Sequence, residues 1–472
     1  MKRILVRSGK SPLDVMSRTT MLRRDVMGTN AGNLLFSDSV HKMLTTPGTE
    51  VTSAGLGTSR FTDEWVARTN AEYDVFVVPL ANAFRPGFDG PLDRLSRAIE
   101  RLTIPVIVVG VGAQVGTDGD TQMLRPMDGS VKRFVRDVLD HSATIGVRGE
   151  ITADYLADLG FHEVDVIGCA SMFWYGDTLP ALRRAERLSE TSRIALNISR
   201  GAAEVGDVGG LIDHVLSHFP QLTYIAQNTS DAELLFWGDT SVEAGHHDTF
   251  PLLLNHPLFE QANVIFPLDP QTWIRELASH DFAFGTRIHG NIAALLAGTP
   301  AVVLPHDSRT LELARFFDIP HRMLAALPAG TGPAELYAEA DYSRMVSGHQ
   351  KRFAHFAEFL MRNGLENTFQ HGDAGVAFEA HLSELDPTPS LRLWDGADDG
   401  DLRYRISRLR ELVAQEHDTA QRLAARVREL RNRLADAEAR LSTLERQVAG
   451  IDRRVFVRLG PAIRRRVGRR RK

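Results

Sequence analysis

Through the first 180 residues, short runs rich in valine and isoleucine alternate with longer amphipathic stretches. The runs are "YDVFVVPL" (73–80), "IPVIVVGVG" (104–112), "SATIGVR" (142–148) and "VDVIGC" (164–169). Near-continuous apolar runs of this length suit parallel strands covered on both faces. Between them, "LDRLSRAIERL" (92–102), "VKRFVRDVLD" (131–140) and "EITADYLADLG" (150–160) repeat apolar residues at helical spacing, the last stopping at Gly160. Residues 177–192 are charged and carry no strand pattern, and they read as a crossing between domains. The alternation then restarts with "RIALNIS" (193–199), "VGGLIDHVLSHF" (208–219), "LTYIAQN" (222–228) and "ANVIFP" (262–267). A helix from "DPQTWIRELASH" (269–280) has Asp269 as its predicted N-cap and Pro270 just inside. The pattern predicts an α/β chain of two Rossmann-like, doubly wound domains, 1–180 and 193–385, facing a ligand cleft near the carboxyl ends of their strands.

The period changes after a Pro, Gly and Asp-rich linker at 386–401. Apolar residues fall at Ile406, Leu409, Val413, Ala420, Leu423, Val427, Leu430, Leu434, Ala437, Leu441, Leu444, Val448, Ile451 and Val455, broken only by Glu416. Spacing that alternates three and four predicts a coiled coil over 402–455 and hence a homo-oligomer. Residues 456–472 form a basic tail in which arginines interleave with apolar residues. Such a tail fits an anionic membrane surface, each basic residue adding about 1 kcal/mol near the lipid. It equally fits a solvated end that aids solubility, with RNA adhesion a third option.

Charge sharpens this division. From Arg453 to Lys472 there are ten Arg or Lys and no Asp or Glu; the net charge is −5, so the rest of the chain carries −15. An acidic body is not a general nucleic-acid binder, and it needs locally placed arginines to hold an anionic substrate. A single cysteine, Cys169, excludes a disulfide framework and a cysteine-built metal site within one chain. The apolar runs are about half the roughly 20 residues that a bilayer crossing needs, and the amino-terminal run is too short for a signal peptide core. A cytoplasmic protein is expected, peripheral on the inner face of the cell membrane if the tail binds lipid.

Several motif-like segments carry little. "GVGAQVG" (110–116) follows a strand but leads into a polar loop rather than a helix, so it reads as a glycine-permitted turn at the cleft rim. Asp118 and Asp120 read as loop residues, and so do His246, His247 and Asp248, which lack a third metal ligand at suitable spacing. "HDFAFGTR" (280–287) followed by "GNIAALLAG" (290–298) is more informative. A strand through Arg287 and His289 would point both side chains the same way. A helix beginning at Gly290 and Asn291 would aim free N–H groups at an anion beside them. Arg148, Arg200 and Arg309 follow other apolar runs, and arginines gathered at strand ends suit a small, multiply charged anion.

The segment "DFAFGTRIHGNIAALLAGTPAVVLPHDSRTLELARFFDIP" (281–320) resembles the carboxyl-terminal signature of the polysaccharide pyruvyl transferase family. "TNAGNLLFSDSVHKML" (29–44) is similar to the family's Asn-x-Gly-Asp loop, with Asn30 and Gly32 matching and Asn33 where Asp is usual. "IGVRGEITADYLADLG" (145–160) resembles its Val-Arg-Asp segment, with Arg148 matching and Gly149 in place of Asp. The resemblance implies a GT-B-like fold and transfer of the enolpyruvyl carbons of phosphoenolpyruvate to sugar hydroxyls of a cell-surface polysaccharide or glycolipid, forming a pyruvate ketal. Phosphoenolpyruvate is then a co-substrate and no metal or redox cofactor is demanded. The acceptor saccharide is free or lipid-linked. His289 and Arg287 become the catalytic candidates, with Arg148, Arg200, Arg309, Asn30, Gly32, Gly290 and Asn291 binding substrate. Competing readings are a GT-B nucleotide-sugar glycosyltransferase and a non-catalytic sugar-binding domain on a coiled-coil scaffold.

Overall fold

Parallel pairing accounts for the continuous apolar runs. The computed structural model describes all residues except 25, 239–250, 252, 253, 373, 374 and 469–472; His246, His247 and Asp248 therefore lie outside the described residues. In the amino-terminal part, β1 (Lys2–Val6), β2 (Thr49–Ser53), β3 (Val75–Pro79) and β4 (Val106–Val109) pair in the order β2-β1-β3-β4. All three pairings are parallel. A parallel pair, β5 (Ile145–Val147) with β6 (Val164–Val166), continues this array through a bridge between Val111 and Val147. The order 2-1-3-4 is a doubly wound arrangement whose direction reverses between β1 and β3.

The second sheet follows another order. It contains β7 (Ile194–Asn197), β8 (Leu222–Ile225), β9 (Asn263–Phe266), β10 (Phe282–Gly285), β11 (Ala301–Val303) and β12 (Leu391–Arg392), arranged β11-β10-β7-β8-β9-β12. All its pairings are parallel except β12 with β9. Here the winding reverses between β7 and β10.

Several of the helices on these sheets bury a single apolar stripe. Asp89–Ile99 buries Leu92, Leu95 and Ile99, and Asp128–Leu139 buries Val131, Phe134 and Val138. With Phe76, Val78, Phe84, Val106 and Val108 these side chains form one continuous core. Fully burying a residue of this size contributes about 1.5–3 kcal/mol. The helix Pro270–Leu277 starts as its sequence predicts, because the Asp269 carboxylate accepts from the N–H groups of Gln271 and Thr272.

Both sheets belong to one unit, Met1–Gly396, and two sets of contacts tie them together. Asn30 bridges Asn228, and the Ala31 N–H donates to the Gln227 carbonyl at 2.9 Å. On the other side, the Ser308 hydroxyl donates to Ala113 and accepts from the N–H of Val115, while Thr152 donates twice to Glu312.

Ala397–Lys472 form a second unit dominated by one helix, Leu402–Gly468. At 1.5 Å per residue it is about 100 Å long. Leu423, Leu430, Leu434, Leu441 and Leu444 lie exposed along it in the single chain. No helix among the described residues is long and apolar enough to cross a membrane.

One expectation needs correction. The strand β10 stops at Gly285, and the helix begins at Ile288 rather than Gly290. Arg287 is therefore the N-cap and His289 lies in the first helical turn, so the pair is not an extended one. In addition, β1 and β2 were not legible as strands: "KRILV" and "TEVTS" are each five residues with polar ends, and their pairing with each other is non-local.

Candidate active site

Many of the residues that line the cavity between the sheets stand a few positions past the carboxyl end of a strand. Asn82 follows β3, Gln114 β4 and Arg148 β5. Ser199 and Arg200 follow β7, Gln227 and Asn228 follow β8, Thr286 and Arg287 follow β10, and His306 follows β11. The cavity holds about 310 Å³ and sits at the reversal of the second sheet, where β7 and β10 part. Diverging chains leave a crevice at such a point, and ligands of open α/β sheets bind there.

Arg148 is the most telling side chain. It is 3% exposed, its Nε donates to the Gly110 carbonyl at 3.0 Å, and its guanidinium lies 5.6 Å from the Phe36 ring. Its Nη2 has no hydrogen-bond partner. Burial lowers its pKa, and neighbouring Arg309 acts in the same direction. A buried cation with an unspent donor is costly unless an anion meets it. Gly112 makes room for it, since a Cβ there would stand 2.9 Å from Arg148 Cδ. The glycines of "GVGAQVG" thus admit an arginine to the cavity rather than a dinucleotide phosphate.

Arg85 lines the cavity from the loop after β3, and three more arginines come from the second sheet. Arg287 donates from Nε to the Ile198 carbonyl at 3.2 Å and from Nη2 to Asn228 Oδ1 at 2.5 Å. Burial lowers its pKa, while Asp231 opposes the shift. Arg200 donates to the Ser230 hydroxyl at 2.7 Å and stands 3.7 Å from Asp231. Arg309 is paired with Asp307 through Nε at 2.8 Å. That carboxylate caps the following helix by accepting from the Thr310 N–H at 3.1 Å.

His289 is 8% exposed and lines the same cavity. Its Nε2 is 3.5 Å from the Cys169 sulfur. Burial pushes its pKa down to about 3, and Arg148, Arg309 and Arg287 push in the same direction. The imidazole is therefore neutral in the free protein, and charge arriving on an anionic ligand would offset the three arginines.

The remaining sequence-predicted residues separate into two groups. Asn30 lines the cavity, with its Oδ1 accepting from the Gly32 N–H at 2.7 Å. Gly32, Gly290 and Asn291 do not line it. Gly32 lies behind His289, and Gly290 packs against Asn197 and Gln227, where a Cβ would come within 2.9 Å of the Asn197 side chain. Asn291 is completely buried, and its amide donates to the carbonyls of Arg287 and Gly285. It fixes the strand-to-helix turn and does not face a ligand.

Gly149 also acquires a reason. A Cβ at that position would stand 2.5 Å from Glu312 Cβ. The carboxylate near this helix start is supplied by Glu312, which accepts from both the N–H and the hydroxyl of Thr152. Burial raises its pKa to about 7. Sequence reasoning missed Glu312, Gln114, Asn82, Asn228 and His306. The polar residues among them that directly follow apolar runs were detectable by that position alone.

The chain is thus an α/β protein with an arginine-lined cavity between two mostly parallel sheets, near the carboxyl ends of their strands. The polysaccharide pyruvyl transferase family matches residues 30–308. The chain belongs to that family and is a transferase. A comparison with curated proteins finds no match. Solved structures similar to the chain include the UDP-GlcNAc 2-epimerase of Methanocaldococcus jannaschii bound to UDP-GlcNAc and UDP. It shows 15% identity over 82% of this chain and 100% of its own, with a TM-score of 0.40. The UDP-GlcNAc 2-epimerase of Neisseria meningitidis gives 10%, 82%, 100% and 0.38. An Anabaena protein bound to UDP and glucose gives 12%, 82%, 100% and 0.39. Scores this low leave the fold to be read from the chain's own topology.

Proposed function

We propose that the chain transfers the pyruvate carbons of phosphoenolpyruvate to saccharide hydroxyls, forming a ketal on a cell-surface polysaccharide or glycolipid. The observation that carries this reading is the unspent, buried donor of Arg148, without a partner among the described residues, in a cavity that also holds His289 and the arginines Arg85, Arg200, Arg287 and Arg309. Forked guanidinium donors match carboxylate and phosphate, and this donor substrate carries both.

The chemistry then divides among named groups. Arg148, Arg287, Arg200 and Arg309 hold the carboxylate and phosphate and stabilise the charge on the departing phosphate. The bound negative charge raises the His289 pKa from its low resting position, so that the imidazole takes up a proton. His289 delivers it to the methylene carbon, and a sugar oxygen attacks the carbon that bears phosphate. The proton lost by that hydroxyl makes good the one delivered. Loss of phosphate and attack by a second hydroxyl close the ketal, the second hydroxyl proton leaving with phosphate.

The deciding experiment is phosphate release from phosphoenolpyruvate with cell-wall oligosaccharides, run beside nucleotide sugars. Release that needs both phosphoenolpyruvate and a saccharide supports the reading. Consumption of a nucleotide sugar instead would replace it.

A further inference from the structure

A second cavity, of about 470 Å³, opens beside the first and shares Thr29, Asn33, Ala81, Asn82 and Arg85 with it. It occupies the reversal point of the other sheet: Arg7 follows β1, and Ala81 and Asn82 follow β3. The chain therefore has two switch-point crevices, one per sheet, joined through a common wall. Only one of them is used by the donor chemistry above.

The charged side chains among the described lining of the second crevice are all cationic. Arg7, Arg24 and Arg85 line it, and no Asp or Glu is among its described lining residues. Arg7 donates from Nη2 to the Leu56 carbonyl at 2.8 Å, and its N–H donates to Val77 at 2.9 Å. Its Nε is buried without a partner. Among the described residues this guanidinium donates only to neutral carbonyls, those of Leu56 and Pro79, and burial lowers its pKa to about 10. An uncompensated cation in that position is costly for a fold and favourable for an anionic ligand. The guanidinium of Arg85 lies 4.4 Å from the Phe88 ring, which also lines this crevice.

We propose that this second crevice is the acceptor site and that it selects a saccharide bearing a negative group, carboxylate or phosphate, which Arg7 and Arg24 hold. The assignment rests on the pyruvyl-transfer reading for the word acceptor, but the affinity for an anionic sugar does not. The shared wall then places the neutral hydroxyls of that sugar toward the donor cavity.

The test is calorimetric binding to the full chain, without phosphoenolpyruvate, of a methyl hexoside, a hexuronate and a hexose 1-phosphate. A charge-assisted hydrogen bond is worth about 1.5–3 kcal/mol, so at least one anionic sugar should bind about tenfold or more tightly than the neutral one. Arg7→Gln and Arg24→Gln should each erase most of that advantage, while phosphoenolpyruvate affinity changes by less than about twofold on the same scale. Arg24 is exposed, so its variant keeps the test decisive if Arg7→Gln fails to fold. Comparing hexuronate with hexose 1-phosphate separates a carboxylate-bearing from a phosphate-bearing acceptor. Equal binding of neutral and anionic sugars overturns the proposal. So does an anionic advantage that Arg148→Lys abolishes and the Arg7 and Arg24 variants leave intact, because the anion then sits in the donor cavity. Failure of the pyruvyl-transfer reading shows separately, as no phosphate release with any acceptor while sugar binding persists.

Discussion

The bare Cα of Gly32 lies against the imidazole of His289: a methyl group there would stand 2.6 Å from Nδ1 and 2.8 Å from Cβ. Cys169 bounds the ring from Nε2, with its sulfur at 3.5 Å. The proposed proton donor is thus held between a glycine of one half of the unit and a thiol from the loop after β6. Gly32→Ala must push the ring aside. A displacement on the order of 1 Å costs about 100-fold in turnover, so kcat should fall by that order while the thermal midpoint moves by only a few degrees. His289→Gln should lose about 10²–10⁴-fold. Steady-state phosphate release checks both, and unchanged kcat in Gly32→Ala would remove His289 from the reaction.

Ligand binding should be coupled to proton uptake. The His289 pKa sits at about 3 because of burial and of Arg148, Arg309 and Arg287. An anion that offsets those charges raises it, so near pH 6 binding draws a proton from solvent. The calorimetric enthalpy of phosphoenolpyruvate binding should then vary with the ionisation heat of the buffer, and should stop varying in His289→Gln. A buffer-independent enthalpy in the unaltered protein contradicts the assignment.

Glu312 gives the fold a pH dependence of its own. Its pKa is raised by burial to about 7 from 4.5, so the native state keeps a proton that the unfolded chain releases. Its contribution is complete below pH 4.5 and is lost as pH rises through 7, a difference of about 3 kcal/mol. Urea unfolding at pH 5 and pH 8 should show a larger alkaline loss for the unaltered protein than for Glu312→Gln. Equal slopes would mean that Thr152 and Arg148 hold Glu312 ionised.

The long helix predicts self-association. We propose that its apolar seam pairs with that of a second copy, because Leu430 and Leu434 are exposed in the single chain and stand at alternating heptad spacing. Leu430→Glu with Leu434→Glu should lower the molecular mass seen by sedimentation equilibrium. A mass already equal to one chain before substitution would refute the pairing.

Much of the architecture was legible because its signals are local. Buried parallel strands such as Val106–Val109 need no polar alternation, and Asp269-Pro270 marks a helix start within two residues. By contrast β1 and β2 were illegible because their stability comes from pairing across more than 40 residues. Arg287 and His289 do line the cavity, but their local geometry is not the extended one expected. The Asn197 side chain, from β7, accepts from the Arg287 N–H at 2.8 Å and fixes the turn that starts the helix early.

The site divides along the same line. Arginines after apolar runs are visible in any linear reading: Arg148, Arg200, Arg287 and Arg309, with His289, stand out that way and all line the cavity, whereas Arg85 does not stand out. That Arg148 is buried with an unspent donor, that Glu312 arrives beside Gly149, and that a second cationic crevice adjoins the first cannot be seen in one dimension. Periodicity and residue type determined which segments would be strands and which would carry charge, because those preferences act over a few neighbouring residues. Only the packing of two sheets decided which charges lose water together, because desolvation depends on what every other part of the chain brings to the same volume.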